Sequence, residues 1–371
     1  PFNFFIINFL TFSIFLIFLF KKLNHQKSKK NFFFYGWFFG FGYFLTNLYW
    51  VTISLTFDKN FIYLIPIALL LIPSFLALFY SLFTLLFYLY NPKNILSAFF
   101  LFSFLFGLTE FLRGSILTGF PWNLIVYSLS EKLNIISIIS VIGTYSLNLI
   151  SISFFAAPAL YIYRKSKKEI FTCILLLLLP ILFYTNGAIQ KKKFLNSPVK
   201  ENPFKIRVIS SNISLDRFYQ NIETEIVIKE LISISSPERD KKTLFIWPEG
   251  IIPNTYQDEF YLYEKIIKEN FDENHIIGLG ITSRDLIDDK YKYFNSFSIF
   301  DNNLNLIKNY NKIKLVPFGE FLPLENVLSR IGLKVITNNF ESYTKGENPK
   351  IITIQNSFGE LKFLPLICYE I

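Results

Sequence analysis

Apolar runs long enough to cross a bilayer fill the chain up to about Tyr184, and none follows Ser197. This division constrains the fold more than any other feature. In lipid a backbone must satisfy its own hydrogen bonds, so an isolated apolar run of this length is a helix. Six spans are expected, at about Phe2–Phe20, Phe32–Ser54, Phe61–Tyr90, Ile95–Leu112, Ile135–Tyr161 and Ile170–Tyr184. The third is about 45 Å long at helical rise, so it tilts, kinks at Pro73 or projects into water. The sixth is short and contains Pro180. With 46 Phe, 21 Tyr and a mean hydropathy of +0.37, the chain is not an ordinary soluble protein.

The basic residues set the topology. Five Lys lie in Lys21–Lys30, Lys93 lies in Asn91–Asn94, and Arg164, Lys165, Lys167 and Lys168 follow the fifth span. These loops alternate with the less basic Asp58–Asn60 and Arg113–Lys132. The positive-inside rule places the basic set in the cytoplasm, and six crossings leave everything after Tyr184 outside. The cluster Lys191–Lys193 opposes this, but weighs less than three loops. The net charge of +9 is therefore a topology signal and not a sign of nucleic-acid binding.

Beyond Phe204 the pattern becomes that of a water-facing α/β domain. Strand patterns at Lys205–Ser210, Leu244–Trp247, Ile276–Ile281, Phe297–Phe300 and Ile351–Ile354 alternate with helical ones at Ile222–Ile234 and Phe260–Ile267. Leu361–Cys368 reads as a strand broken by Pro365. The expected domains are a membrane part over residues 1–190 and an α/β part over residues 198–371.

Three residues in this second part carry chemistry. Cys368 follows the apolar run Phe363–Ile367, where a thiol is either a nucleophile held by a strand or a structural cysteine. Glu249 follows Trp247-Pro248; it is either a general base or a solvated turn residue. Lys312 is an oxyanion donor or a surface lysine, with Lys308 and Lys314 as competitors, and Glu320 is a second carboxylate or a turn residue. The other cysteine, Cys173, lies in the apolar run Phe171–Leu179 and reads as core, so no disulfide is expected.

Taken together, Trp-Pro-Glu, then Tyr-x-Lys-x-x-Leu-Val-Pro-Phe-Gly-Glu, then Cys-Tyr-Glu resemble the nitrilase superfamily. Within it they are similar to the family of bacterial apolipoprotein N-acyltransferases. Tyr35–Gly42 with Tyr49-Trp50, and Thr109–Gly114 with Thr118–Trp122, resemble that family's membrane signatures. Soluble nitrilases and amidases share the Glu-Lys-Cys order but lack such spans.

The resemblance implies a nitrilase-like α-β-β-α sandwich after the membrane helices. It makes Glu249 the base, Lys312 the oxyanion stabiliser and Cys368 the nucleophile, with Glu320, Tyr369 and Glu370 in supporting places. Tyr219 stands where the family carries a Trp, and Lys314 where it usually carries a His. The implied reaction moves an acyl chain from a phospholipid, through a Cys thioester, to the amine of diacylglyceryl-cysteine on an apolipoprotein. It needs no cofactor and no metal. The implied enzyme is a monomer of the bacterial cytoplasmic membrane with a periplasmic catalytic domain. The alternatives are a membrane-tethered amidase or nitrile hydrolase, with water attacking the thioester, and a non-enzymatic membrane module. The family also has a span before Pro1 and strands and a helix after the Cys, so the chain reads as a fragment open at both ends, truncated after Cys368.

Overall fold

The apolar part of the chain folds as helices, because long apolar runs without polar partners leave the backbone no other way to bond. In the computed structural model, residues 5–25, 28–56, 59–116, 119–198, 204–213, 223–317, 319–322, 342–347, 351–356 and 359–370 are described. They fall into two units, Pro1–Pro198 and Val199–Ile371. The first contains α1 (Ile7–His25), α2 (Lys29–Leu48), α3 (Ile65–Tyr90), α4 (Ile95–Ser115), four shorter segments and α9 (Lys167–Leu195). Among the described residues, four helical stretches are long and apolar enough to cross a membrane: Phe61–Tyr90, Ile95–Ser115, Thr144–Ile162 and Lys167–Leu195. The first two expected spans fall on α1 and α2, and the second leaves α-helical geometry at Leu48 for a 3-10 stretch, Tyr49–Thr56.

Two spans differ from expectation. Ile135–Tyr161 is not one helix. It divides into α5 (Leu133–Ile136), α6 (Ile139–Ile142), α7 (Thr144–Ala156) and α8 (Pro158–Ile162), with a break at Gly143, whose φ is 80°. A φ of that sign ends a right-handed helix. The last span is longer than its apolar run. Ser166 caps it in a capping box with Glu169, and the helix continues through Pro180 and Lys191–Lys193. Apolarity alone marks neither end, because the cap and the final basic turns are polar.

Phenylalanines fill the helix interfaces. Phe15 stacks on Phe39 with ring centroids 4.0 Å apart, and Phe83 stacks on Phe106 at 4.8 Å. α2 approaches α3 closely at Gly36, where an added Cβ would lie 2.1 Å from the carbonyl oxygen of Tyr80. The Thr84 hydroxyl bonds the Phe32 carbonyl across the same seam, at 2.6 Å. α4 also carries a fully buried ion pair. Arg113 donates to both Glu110 oxygens at 3.0 and 2.9 Å, and to the carbonyls of Phe120 and Trp122. The pair thus anchors the chain leaving α4 as well as neutralising itself.

The second unit is built on a mixed five-stranded sheet: β1 (Lys205–Val208), β2 (Thr243–Trp247), β3 (His275–Ile287), β4 (Lys290–Phe300) and β5 (Leu306–Asn311). These strands are adjacent in chain order, with β1, β2 and β3 parallel and β3, β4 and β5 antiparallel. Strand alternation separates two cores. Phe245, Trp247, Ile277 and Leu279 belong to one with Val227 and Leu231 of α10 (Thr224–Ser235) and Ile267 of α11 (Glu264–Asn270). Leu244, Ile276 and Ile299 belong to the other, with Ile352 and Ile354 of the hairpin β6 (Ile352–Asn356) and β7 (Gly359–Phe363). A mixed sheet thus stands between helices and a second, two-stranded sheet.

Removing the cation of the buried pair in α4 leaves a carboxylate among aromatic rings. Arg113→Ala should destabilise by about 3–5 kcal/mol. Thermal unfolding of the full-length protein in detergent, with and without the substitution, checks this; an unchanged midpoint contradicts it.

Candidate active site

The site begins with Pro248. It has no backbone N–H to continue the ladder, so β2 ends at Trp247 and Glu249 turns away, exposed, with Gly250. The Gly250 N–H bonds the Gly280 carbonyl on β3 at 3.2 Å. Gly280 has to be glycine for this turn to lie so close: a Cβ there would sit 2.5 Å from the Glu249 Cα. The rigid sheet therefore fixes where Glu249 stands.

Lys312 comes one residue after β5 ends. Its N–H bonds the Asn295 carbonyl and its carbonyl accepts from Gly346, both at 2.8 Å. The residue is 1% exposed. An ammonium at that depth needs counter-charge, and two carboxylates supply it. Glu320 Oε1 lies 2.9 Å from Nζ and Glu249 Oε1 lies 3.5 Å away. Burial, the largest single effect, favours the neutral amine. The Glu320 bond and the charges of Glu249, Glu320 and Cys368 together outweigh it, so the Lys312 pKa is raised. Glu320 is itself held by a tight loop: its Oε2 accepts from the Val316 N–H at 2.7 Å.

Cys368 does not end a strand. β7 stops at Phe363, Leu364–Ile367 follows without strand pairing, and Cys368 opens a single 3-10 turn, Cys368–Glu370, with φ of 47°. Pro365 explains the early end, since it cannot donate to a ladder. The left-handed backbone at a residue with a Cβ costs about 1–2 kcal/mol, and such strain gathers at functional sites. Cys368 is exposed, whereas Cys173 is buried, and both are free thiols.

Glu370 ties this turn to the lysine. Its Oε1 accepts from the Tyr310 hydroxyl at 2.8 Å and from the N–H groups of Ile313 and Lys314 at 2.7 and 3.3 Å. Its Oε2 accepts from the Ile367 N–H at 2.9 Å. One carboxylate thus bonds both the backbone after Lys312 and the backbone before Cys368. Burial and the Glu370 bond hold the Tyr310 pKa up. Tyr369 contributes backbone to the same turn. Tyr219 lies outside the described residues.

Two side chains at the site carry no motif in the sequence. Asn295 on β4 donates from Nδ2 to Oε1 of both Glu249 and Glu320, at 2.6 and 2.5 Å. Tyr343 bonds Thr282 through its hydroxyl and the Glu320 carbonyl through its N–H. Burial raises its pKa; the Thr282 bond lowers it, while the charges of Glu320 and Glu249 raise it. An Asn amid Tyr293, Phe294, Ser296 and Phe297 is a weak signal, since Asn is disfavoured inside strands. Chemically, the arrangement offers a base, a fixed cation and an accessible thiol. Lys308, on the exposed edge of β5, has no place in it.

Over residues 1–157 the chain matches the family model described as apolipoprotein N-acyltransferase N-terminal domain. It is similar to proteins named apolipoprotein N-acyltransferase. The Brucella melitensis protein is 29% identical over 349 residues, which are 90% of this chain and 63% of that relative. The Rhodopseudomonas palustris protein is 30% identical, over 90% of this chain and 64% of the relative. The Rickettsia prowazekii protein is 30% identical, over 99% of this chain and 71% of the relative. The chain thus spans less than two thirds of the length of the first two relatives.

The raised pKa of Lys312 has a consequence for stability. The folded state holds this proton more tightly than the unfolded chain, whose value is 10.5. The contribution is complete below that value and is lost as pH rises through the higher folded one. The gap in thermal midpoint between the native protein and Lys312→Met should be flat from about pH 8 to about pH 10, then narrow. A gap already closing at about pH 8.5 contradicts the assignment.

Proposed function

Because the chain belongs to the apolipoprotein N-acyltransferase family, we propose that it transfers an acyl chain from a membrane phospholipid to the N-terminal amine of diacylglyceryl-cysteine on apolipoproteins, maturing lipoproteins. The observation that carries this reading is the buried Lys312 held between Glu249 and Glu320, with Glu370 bonding both the backbone after Lys312 and the backbone before Cys368. The unit with apolar helices supports a lipid as donor.

In the first half-reaction Glu249 takes the thiol proton and the Cys368 sulfur attacks the ester carbonyl. Lys312 stabilises the oxyanion. The tetrahedral intermediate collapses, the C–O bond to glycerol breaks, and the leaving oxygen takes the proton from Glu249. Lysophospholipid departs and the acyl group stays as a thioester. In the second half-reaction the lipoprotein amine attacks the thioester, its proton passes to Glu249, and the C–S bond breaks. The amide is released and the thiol regains its proton. A thioester suits this sequence because it keeps the acyl group activated until the amine arrives. Glu320 counters the Lys312 charge, and Glu370 holds the thiol-bearing turn.

The same reading places the second unit outside the cytoplasm, within a nitrilase-like sandwich that is one domain of a periplasm-facing inner-membrane enzyme. Its support is the Lys and Arg distribution: Lys21–Lys30 and Arg164–Lys168 on one side, with the helix Lys167–Leu195 crossing from it.

Incubating the full-length protein with acyl-labelled phospholipid and a diacylglyceryl-cysteine peptide should yield labelled triacyl peptide; labelled free fatty acid instead would assign a hydrolase. Lys312→Ala should slow thioester formation by about 10²–10³-fold, and Lys314→Ala far less. If Lys314 proves the more sensitive, the oxyanion assignment is wrong. Reporter fusions after Lys165 and after Ser197 should report opposite sides of the membrane, and a cytoplasmic signal from both contradicts the topology.

A further inference from the structure

The Glu249 and Glu320 Oε1 atoms share one donor group. Both are bonded by Asn295 Nδ2, which places two like charges within about 5 Å of each other. Lys312 Nζ touches the same two oxygens. A carboxylate only accepts, so an amide facing two of them must turn its NH2 toward both, which fixes the Asn295 rotamer by chemistry. Its carbonyl end of the backbone is fixed too, by the Lys312 N–H at 2.8 Å. Asn295 thus stands between base, second carboxylate and lysine, on a strand paired on both sides. Glu249 Oε2 has no hydrogen-bond partner among the described residues, and Glu249 is exposed.

We propose that Asn295 is a positioning residue, a neutral brace that joins the two carboxylates and leaves Glu249 Oε2 as the oxygen that takes the proton. The proposal rests on Glu249 as base. A neutral amide suits the place for a reason of charge. One ammonium balances one of the two carboxylates, and Asn295 adds two donor bonds to the pair without adding a charge. A second cation would draw Glu249 into a salt bridge. A third carboxylate would force the cluster to bind a proton, and a protonated Glu249 is no base. Lys312, after β5, feels the charges of Glu249, Glu320 and Cys368, and Tyr343, across the site, feels those of Glu320, Glu249 and Lys312.

The rank order of two substitutions separates bracing from mere packing. Asp fits the space of Asn and Ala does not, so a packing role predicts that Asn295→Asp is milder than Asn295→Ala. The brace predicts the reverse. The readout is alkylation of Cys368 by iodoacetamide at neutral pH, in the full-length protein carrying Cys173→Ser. This needs no lipid, so it stands even if phospholipid proves not to be the donor. Asn295→Ala should slow it by about 10-fold, and Asn295→Asp by about 10-fold more. The double variant Asn295→Asp with Glu320→Gln removes one charge and restores an amide, and should return to within about 3-fold of Asn295→Ala. It also guards against misfolding in the single Asp variant. Asn295→Asp labelling as fast as Asn295→Ala or faster, or a double variant no faster than Asn295→Asp, overturns the brace.

Discussion

Burying the ammonium of Lys312 is the constraint on which the site depends. An amine at that depth is neutral unless anions are close enough to repay its desolvation. Here Glu320 and Glu249 do so, and each is fixed in turn: Glu320 by the Val316 N–H, Glu249 by a turn packed on Gly280. The lysine is therefore held charged and in place, as the proposed oxyanion role requires. Preorganisation of this kind is where electrostatic catalysis finds most of its effect.

The same accounting recurs in the helical unit. Arg113 directs its donors to Glu110 and to two backbone carbonyls, so this buried charge is fully partnered. Each unit thus uses a buried cation with short-range acceptors to tie neighbouring segments together. In α4 it secures the chain leaving the helix, and at Lys312 it gathers carboxylates from the turn after β2 and the loop after β5.

Patterns with local causes were legible in the sequence. Apolarity marked α3 and α4, and short apolar runs marked β2 and the start of β3. The order of carboxylate, lysine and thiol was legible as well. The misreadings have physical reasons. Gly143 interrupts an apolar run without changing its hydropathy, so one expected span became several helices. The strand expected to carry Cys368 ends early, because pairing between β6 and β7 stops at Phe363 and Pro365 follows. Asn295 reaches the site through sheet pairing and Tyr343 through its bonds to Thr282 and Glu320, contacts that are tertiary and leave at most a weak mark on the sequence. Glu370 was legible as a neighbour of Cys368, but its bonds to Tyr310, Ile313 and Lys314 are tertiary.

The central claim is that Cys368 carries the acyl group between donor and acceptor. Peptide mass spectrometry of the full-length protein, incubated in membranes with phospholipid and no acceptor, tests it most directly. The account predicts an acyl mass on the peptide containing Cys368 that disappears when a diacylglyceryl-cysteine peptide is added. An acyl mass on Cys173, or an unmodified Cys368 in protein that still produces triacyl peptide, would contradict it.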